Sequence, residues 1–113
     1  MKLREIVQEL NFRVITGKEK LDGDVTHGYT SDLLSDVMAN SKEGDLWITL
    51  QTHQNVVAVA KLKDLAGIVL VNTREPDADT TQKAAEEKVC LLQTEEASFV
   101  VSGKLYALLS TKG

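Results

Sequence analysis

Leu46-Trp47-Ile48-Thr49-Leu50, then Gln51-Thr52-His53-Gln54, then Asn55 through Leu65, then Gly67-Ile68-Val69-Leu70-Val71: this stretch decides the fold. The first run is rich in aromatic and β-branched residues and reads as a strand. Gly67 to Val71 is apolar at every position after the glycine, the pattern of a central parallel strand buried on both faces. Asn55–Leu65 is ambiguous, because its valines favour a strand while its length and alanines favour a helix. Read as a helix, it makes the stretch a βαβ unit, and parallel strands joined through helices are an α/β architecture.

Working outward, Leu3, Ile6, Val7 and Leu10 recur at helical spacing and predict a first helix ending near Asn11. Phe12-Arg13-Val14-Ile15-Thr16 reads as a strand closed by Gly17, and the charged stretch from Lys18 to Asp24 as a loop or edge segment. Asp24-Val25-Thr26-His27-Gly28-Tyr29-Thr30-Ser31-Asp32 reads as a loop, with Thr30 or Ser31 capping a helix over Asp32 to Asn40. Glu75-Pro76-Asp77 opens a polar helix through Lys88, with the proline suited to its first turn. Val89 to Leu92 is a short strand, and Glu95 to about Leu109 a final helix. The sum is a three-layer α/β/α sandwich with a parallel or mixed central sheet, and the length of 113 residues points to a single domain spanning 1–113.

Composition excludes several classes of function. The net charge is −4 and the lysines and arginines are scattered, so the basic patch that nucleic acid or an anionic membrane requires is missing. No apolar stretch approaches the length of a membrane span, and the expectation is a soluble, cytoplasmic protein. One cysteine, Cys90, allows no internal disulfide and no Cys-rich zinc site; set within Val89-Cys90-Leu91-Leu92, it reads as a small buried hydrophobe.

The run DVTHGYTSDLLSDVMANSKEGDLWITLQTHQNVVAVAKL resembles the DRTGG domain, and the resemblance extends over nearly the whole chain. Asp24, Thr26 and Gly28 match the first, third and fifth letters of the name-giving motif; Val25 replaces its arginine and His27 its first glycine. The family is similar to the N-terminal domain of HPr kinase/phosphorylase, which implies the same three-layer fold. DRTGG domains also occur beside CBS domains in regulated pyrophosphatases and next to phosphotransacetylase catalytic domains. The resemblance therefore implies a regulatory or dimerising module. It does not imply kinase activity, because phosphoryl transfer needs a phosphate cradle of the type GxxxxGK[ST] with metal-holding groups. The only Gly-Lys pairs here are Gly17-Lys18, followed by Glu19, and Gly103-Lys104, followed by Leu105.

Candidate site residues come from strand-end loops, because ligands of α/β sheets bind outside the carboxyl ends of the strands. Thr52, His53, Gln54 and Asn55 follow one strand, and Asn72 and Arg74 the next. At the first loop, backbone amides opening a helix suit a small anion or the polar edge of a nucleotide, and capping by Thr52 or Asn55 fits equally well. Arg74 could fork onto a phosphate or carboxylate, or pair with Glu75 or Asp77. Asp24, Thr26, His27 and Gly28 read as structural: polar side chains satisfying nearby amides, and a glycine able to take positive φ. His27 and His53 have neither metal-ligand spacing nor a third ligand, so no metal, no cofactor and no catalytic residue is assigned.

The expectation for function is a stand-alone regulatory, ligand-binding module, sensing a nucleotide or small phosphorylated metabolite and acting through a partner protein. The alternative is a structural interaction domain without a small ligand. A homodimer is expected because Val56, Val57, Val59 and Ala60, and likewise Val100, Val101, Leu105, Tyr106, Leu108 and Leu109, span more than one helix face.

Overall fold

The computed structural model describes residues 1–112. In chain order the elements are α1 (Leu3–Leu10), β1 (Arg13–Thr16), a 3-10 turn (Lys18–Lys20), β2 (His27–Thr30), α2 (Leu34–Asn40), β3 (Asp45–Thr49), α3 (Asn55–Leu62), β4 (Gly67–Leu70), α4 (Ala78–Glu87), β5 (Leu91–Gln93) and α5 (Ser98–Lys112). The strands form one sheet in the order β1-β5-β4-β3-β2, parallel from β2 to β5, with β1 antiparallel on β5.

Alternation along the strands divides the core into two layers. Leu46, Ile48, Val69 and Leu92 face α1 and α5, where they meet Leu3, Ile6, Val101 and Leu105. Trp47, Ile68, Leu70 and Leu91 face α2, α3 and α4, where they meet Val37, Val56, Val57 and Ala84. Every residue of β3 and of β4 is buried, the apolar ones as their continuous runs require. The polar ends of β3 are hydrogen-bonded: the Asp45 carboxylate accepts from the Lys42 amide, and Thr49 donates to the Asp32 carboxylate. The molecule is an α/β/α sandwich on a mixed sheet.

The segment Asp24–Asp32 is not a loop at the site edge. It crosses the sheet, with His27–Thr30 forming β2 in parallel register with Asp45–Ile48. Its polar composition hides the strand because β2 is an edge, exposed over most of its length. Gly28 is not in a positive-φ conformation. Its missing side chain matters for packing instead, since a Cβ there would lie 2.7 Å from a methyl of Leu105 on α5.

Helix starts also differ from expectation. α2 begins at Leu34, because Asp32 caps the end of β3: its carboxylate accepts from Thr49 Oγ1 at 2.9 Å and from the Leu50 amide at 2.7 Å. α4 begins at Ala78 with Asp77 as the N-cap residue, which leaves Pro76 before the helix. Ser98, not Glu95, opens α5, because Glu96 is held in a turn, its amide on Thr94 Oγ1 and its carbonyl accepting from the Asn72 amide. Val56, Val57, Val59 and Ala60 are all buried within the chain, because α3 is flanked by α2 and α4 above the sheet. They leave no surplus face for a partner.

Trp47 is fully buried and its indole N–H donates to the Ser31 carbonyl at 2.8 Å. The half-buried Tyr29 donates to Asp36, and hydrogen bonds from Ser31, Asn40 and Tyr29 hold the Asp36 carboxyl below the usual range. Cys90 is buried as expected, and burial, helped by the charge of Glu19, pushes its thiol up to about 12.

Candidate functional site

The carboxyl ends of β2, β3, β4 and β5 emerge on one edge of the sheet. The loops there are tied into a continuous rim. Gln51 Nε2 donates to the Asp32 carbonyl at 2.8 Å. The Thr52 carbonyl accepts from the Asp77 amide at 3.1 Å and from Thr80 Oγ1 at 2.6 Å, joining the loop after β3 to the start of α4. Beyond β4, the amides of Asn72 and Thr73 donate to the carbonyls of Glu96 and Thr94, and Gln93 Nε2 donates to the Arg74 carbonyl at 2.8 Å.

The connections after β2, β3 and β4 place α2, α3 and α4 on one face, whereas the connection after β5 sends α5 to the other. The helices therefore part to opposite faces between β4 and β5, the position at which open α/β sheets form a ligand crevice, while the two loops there stay hydrogen-bonded to each other. Asn72 and Arg74 stand at this point. Alongside lies a cavity of about 560 Å³ lined by residues that include Asn11, Arg13, Gln93, Thr94, Glu96 and Lys104. Of these, Gln93 and Thr94 are buried polar side chains. Their polarity at the end of the apolar run Val89–Leu92 is the sequence signal that could have marked them. The strand order that makes the crevice is not visible in the sequence.

The electrostatics separate Arg74 from the other cations of the rim. Arg13 pairs with Glu75 at 3.1 Å and Lys104 with Glu96 at 3.0 Å. With Glu75 engaged by Arg13, the Arg74 guanidinium has no hydrogen bond or ion pair among the described residues. His53, Gln54 and Asn55 are exposed at the start of α3, and Thr52 is half-buried; α3 has no side-chain N-cap bond and no acidic residue in its first turn. Asn72 and Thr73 both adopt left-handed backbone, φ 60° and 57°. For threonine this conformation is strained.

Asp24, Thr26 and His27 are on the opposite edge or entering β2. Asp24 pairs with Lys2 at 3.2 Å, and the Thr26 amide donates to the Gly44 carbonyl. Asp24 also borders a cavity of about 330 Å³ with Lys20, Glu43, Lys61, Asp64 and Lys88, where a hydrogen bond to Asp64 raises the Glu43 carboxyl. The Thr52 carbonyl thus joins the loop after β3 to the start of α4, and Asn72–Arg74 lie in the neighbouring loop after β4. None of Thr52, His53, Gln54, Asn55, Asn72 and Arg74 lines the cavity of about 560 Å³, and the motif residues lie apart. Among the described residues no three His, Cys, Asp or Glu side chains gather as a metal site requires, and no helix is long and apolar enough to cross a membrane.

No family model and no curated protein sequence matches the chain. Several solved chains are similar to it, among them the CBS and DRTGG domains of the regulatory region of Clostridium perfringens pyrophosphatase, complexed with the activator diadenosine tetraphosphate. The likeness has a TM-score of 0.69 at 14% identity. The two share a fold. The match takes in 92% of this chain and 45% of that one, so this chain spans under half the length of its structural neighbour.

Proposed function

We propose that this chain is a DRTGG-like regulatory module of one domain that binds a nucleotide or small phosphorylated metabolite at the carboxyl edge of its sheet. It works in the cytoplasm as a homodimer that transmits occupancy to a partner protein. The observation that carries the reading is the unpaired Arg74 guanidinium at the β4–β5 divergence, in a rim where Arg13 and Lys104 are each neutralised by a carboxylate. An unpaired guanidinium beside free amide and hydroxyl side chains suits a phosphoryl group, which it meets through a bidentate, charge-assisted contact. Support also comes from the regulatory region that shares this fold, a region crystallised with a nucleotide activator. The HPr kinase N-terminal domain is the other family relation that the motif implies.

The test is binding of ATP, ADP, AMP, diadenosine tetraphosphate and inorganic phosphate, followed by thermal shift and calorimetry, since a ligand selective for the folded state raises its stability by mass action. The expected result is a shift with at least one of them, with Arg74→Ala weakening binding by roughly 1–3 kcal/mol. Absence of any shift at millimolar concentrations, or an undiminished one in Arg74→Ala, overturns the reading. The second reading, a structural interaction domain without a small ligand, is favoured by the exposed aromatic face of α5.

A further inference from the structure

We propose that a second copy of this chain docks along the open edge of β2 and the adjoining face of α5, extending both sheets into one. This deepens the homodimer reading above and rests on it, while standing independently of any ligand.

β2 is the outer strand of the sheet, and along it runs a groove of about 440 Å³ whose walls are Thr26, His27, Gly28 and Thr30 on one side and Ser102, Leu105, Tyr106 and Leu109 on the other. The Ser31 amide donates inward to the Ile48 carbonyl, so alternation along the strand turns the amides of Gly28 and Thr30 outward. Helical spacing places Phe99, Gly103 and Tyr106 on one stripe of α5 beside this edge. Phe99 is 89% exposed and Tyr106 76%, and the space over Gly103 is open.

Three features make the occupant a second copy. First, the patch is self-complementary. α5 lies against β2, so one twofold axis normal to the sheet sets β2 antiparallel to its mate and α5 antiparallel to its mate on the same face. The same operation sets Phe99 of each copy toward Tyr106 of the other across the gap at Gly103, the reciprocal contact an isologous interface requires. Second, the stripe and β2 contain no Asp, Glu, Lys or Arg, whereas the chain as a whole carries −4. Two copies repel elsewhere and not here. Third, the two aromatics supply about 300 Å² per copy of the about 800 Å² that a stable interface buries, and the groove walls and strand edge add to it.

The experiment is sedimentation equilibrium of the whole chain and of three variants, each checked by circular dichroism. Gly103→Arg and Tyr106→Glu alter exposed positions, so the fold survives; each is expected to raise the dimer dissociation constant at least 100-fold. Leu62→Glu, on the exposed side of α3, is expected to leave it unchanged. A wild-type chain that is monomeric at high micromolar concentration overturns the proposal, as does a dimer that survives both α5 variants or is lost only in Leu62→Glu. Nucleotide binding by a monomeric chain would sink this interface and leave the ligand reading standing.

Discussion

Gly17→Ala should be among the most damaging conservative substitutions available in this chain. Gly17 ends β1 in left-handed backbone, φ 79° and ψ 33°. A Cβ there would lie 2.5 Å from Cys90 Cα, 2.8 Å from the Cys90 amide nitrogen and 2.8 Å from the Val89 carbonyl oxygen. These are backbone atoms of the segment entering β5, and Thr16 Oγ1 pins the same carbonyl at 2.8 Å. Relief means parting β1 from β5 by about 1 Å, against a ladder and a side-chain bond. The left-handed conformation costs alanine about 1–2 kcal/mol and the overpacking about 1–3 kcal/mol, so about 2–5 kcal/mol is expected. Domains of this size have about 5–15 kcal/mol in all. The assay is urea unfolding followed by Trp47 fluorescence and circular dichroism. Gly17→Asn separates the two causes, because asparagine tolerates the dihedral but still carries a Cβ. A loss under about 0.5 kcal/mol in Gly17→Ala, within the scatter of ordinary surface substitutions, refutes the contact argument; full recovery in Gly17→Asn shows that dihedral strain alone was responsible.

Thr73→Asn keeps the left-handed turn with a residue that tolerates it, and should raise stability by about 0.5–1 kcal/mol, measured as a higher urea midpoint at unchanged slope. The Cys90 thiol, pushed up to about 12 from 9.0 by burial and by Glu19, should react with a disulfide reagent at pH 8 only as fast as the protein opens, so its rate should climb with added urea. The same shift is favourable while the thiol stays neutral in both states. Its contribution is therefore complete below about pH 9 and is lost as the pH rises toward 12, which Cys90→Ala should flatten in an alkaline melt. Incubation with radiolabelled ATP and HPr should give no phosphoryl transfer, as the chain has no GxxxxGK[ST] loop; transfer that survives purification would contradict it.

The buried centre of the sheet was readable because burial on both faces leaves only apolar residues, as in Trp47-Ile48 and Ile68-Val69-Leu70. The edge was not readable: His27-Gly28-Tyr29-Thr30 is a strand whose side chains mostly face water, so no hydrophobic alternation marks it. Helix starts moved where a group served another element, as the Asp32 carboxylate serves the end of β3 and the Glu96 carbonyl the turn after β4. The candidate rim was partly legible, since Asn72 and Arg74 follow an apolar run. Arg13, Gln93 and Lys104 belong beside them only because β1 returns to β5 and α5 crosses to the opposite face, and neither fact is local to any stretch of sequence.

The pairing of Arg13 with Gln93 joins residues that are made far apart in time. At about 5–20 residues per second, a ribosome needs about 4–16 s to travel from one to the other. During that interval β2, β3 and β4 can assemble in chain order through their crossover helices, while β1 has no strand to join and Leu3 and Ile6 of α1 have no α5 to cover them. The N-terminal strand is thus synthesised first and paired only when the C-terminal one follows. Whatever holds nascent chains in the cell would meet this protein as a helix and a strand waiting for their place. Once β5 arrives, a single antiparallel pairing closes the sheet, and α5 behind it closes the second layer of the core.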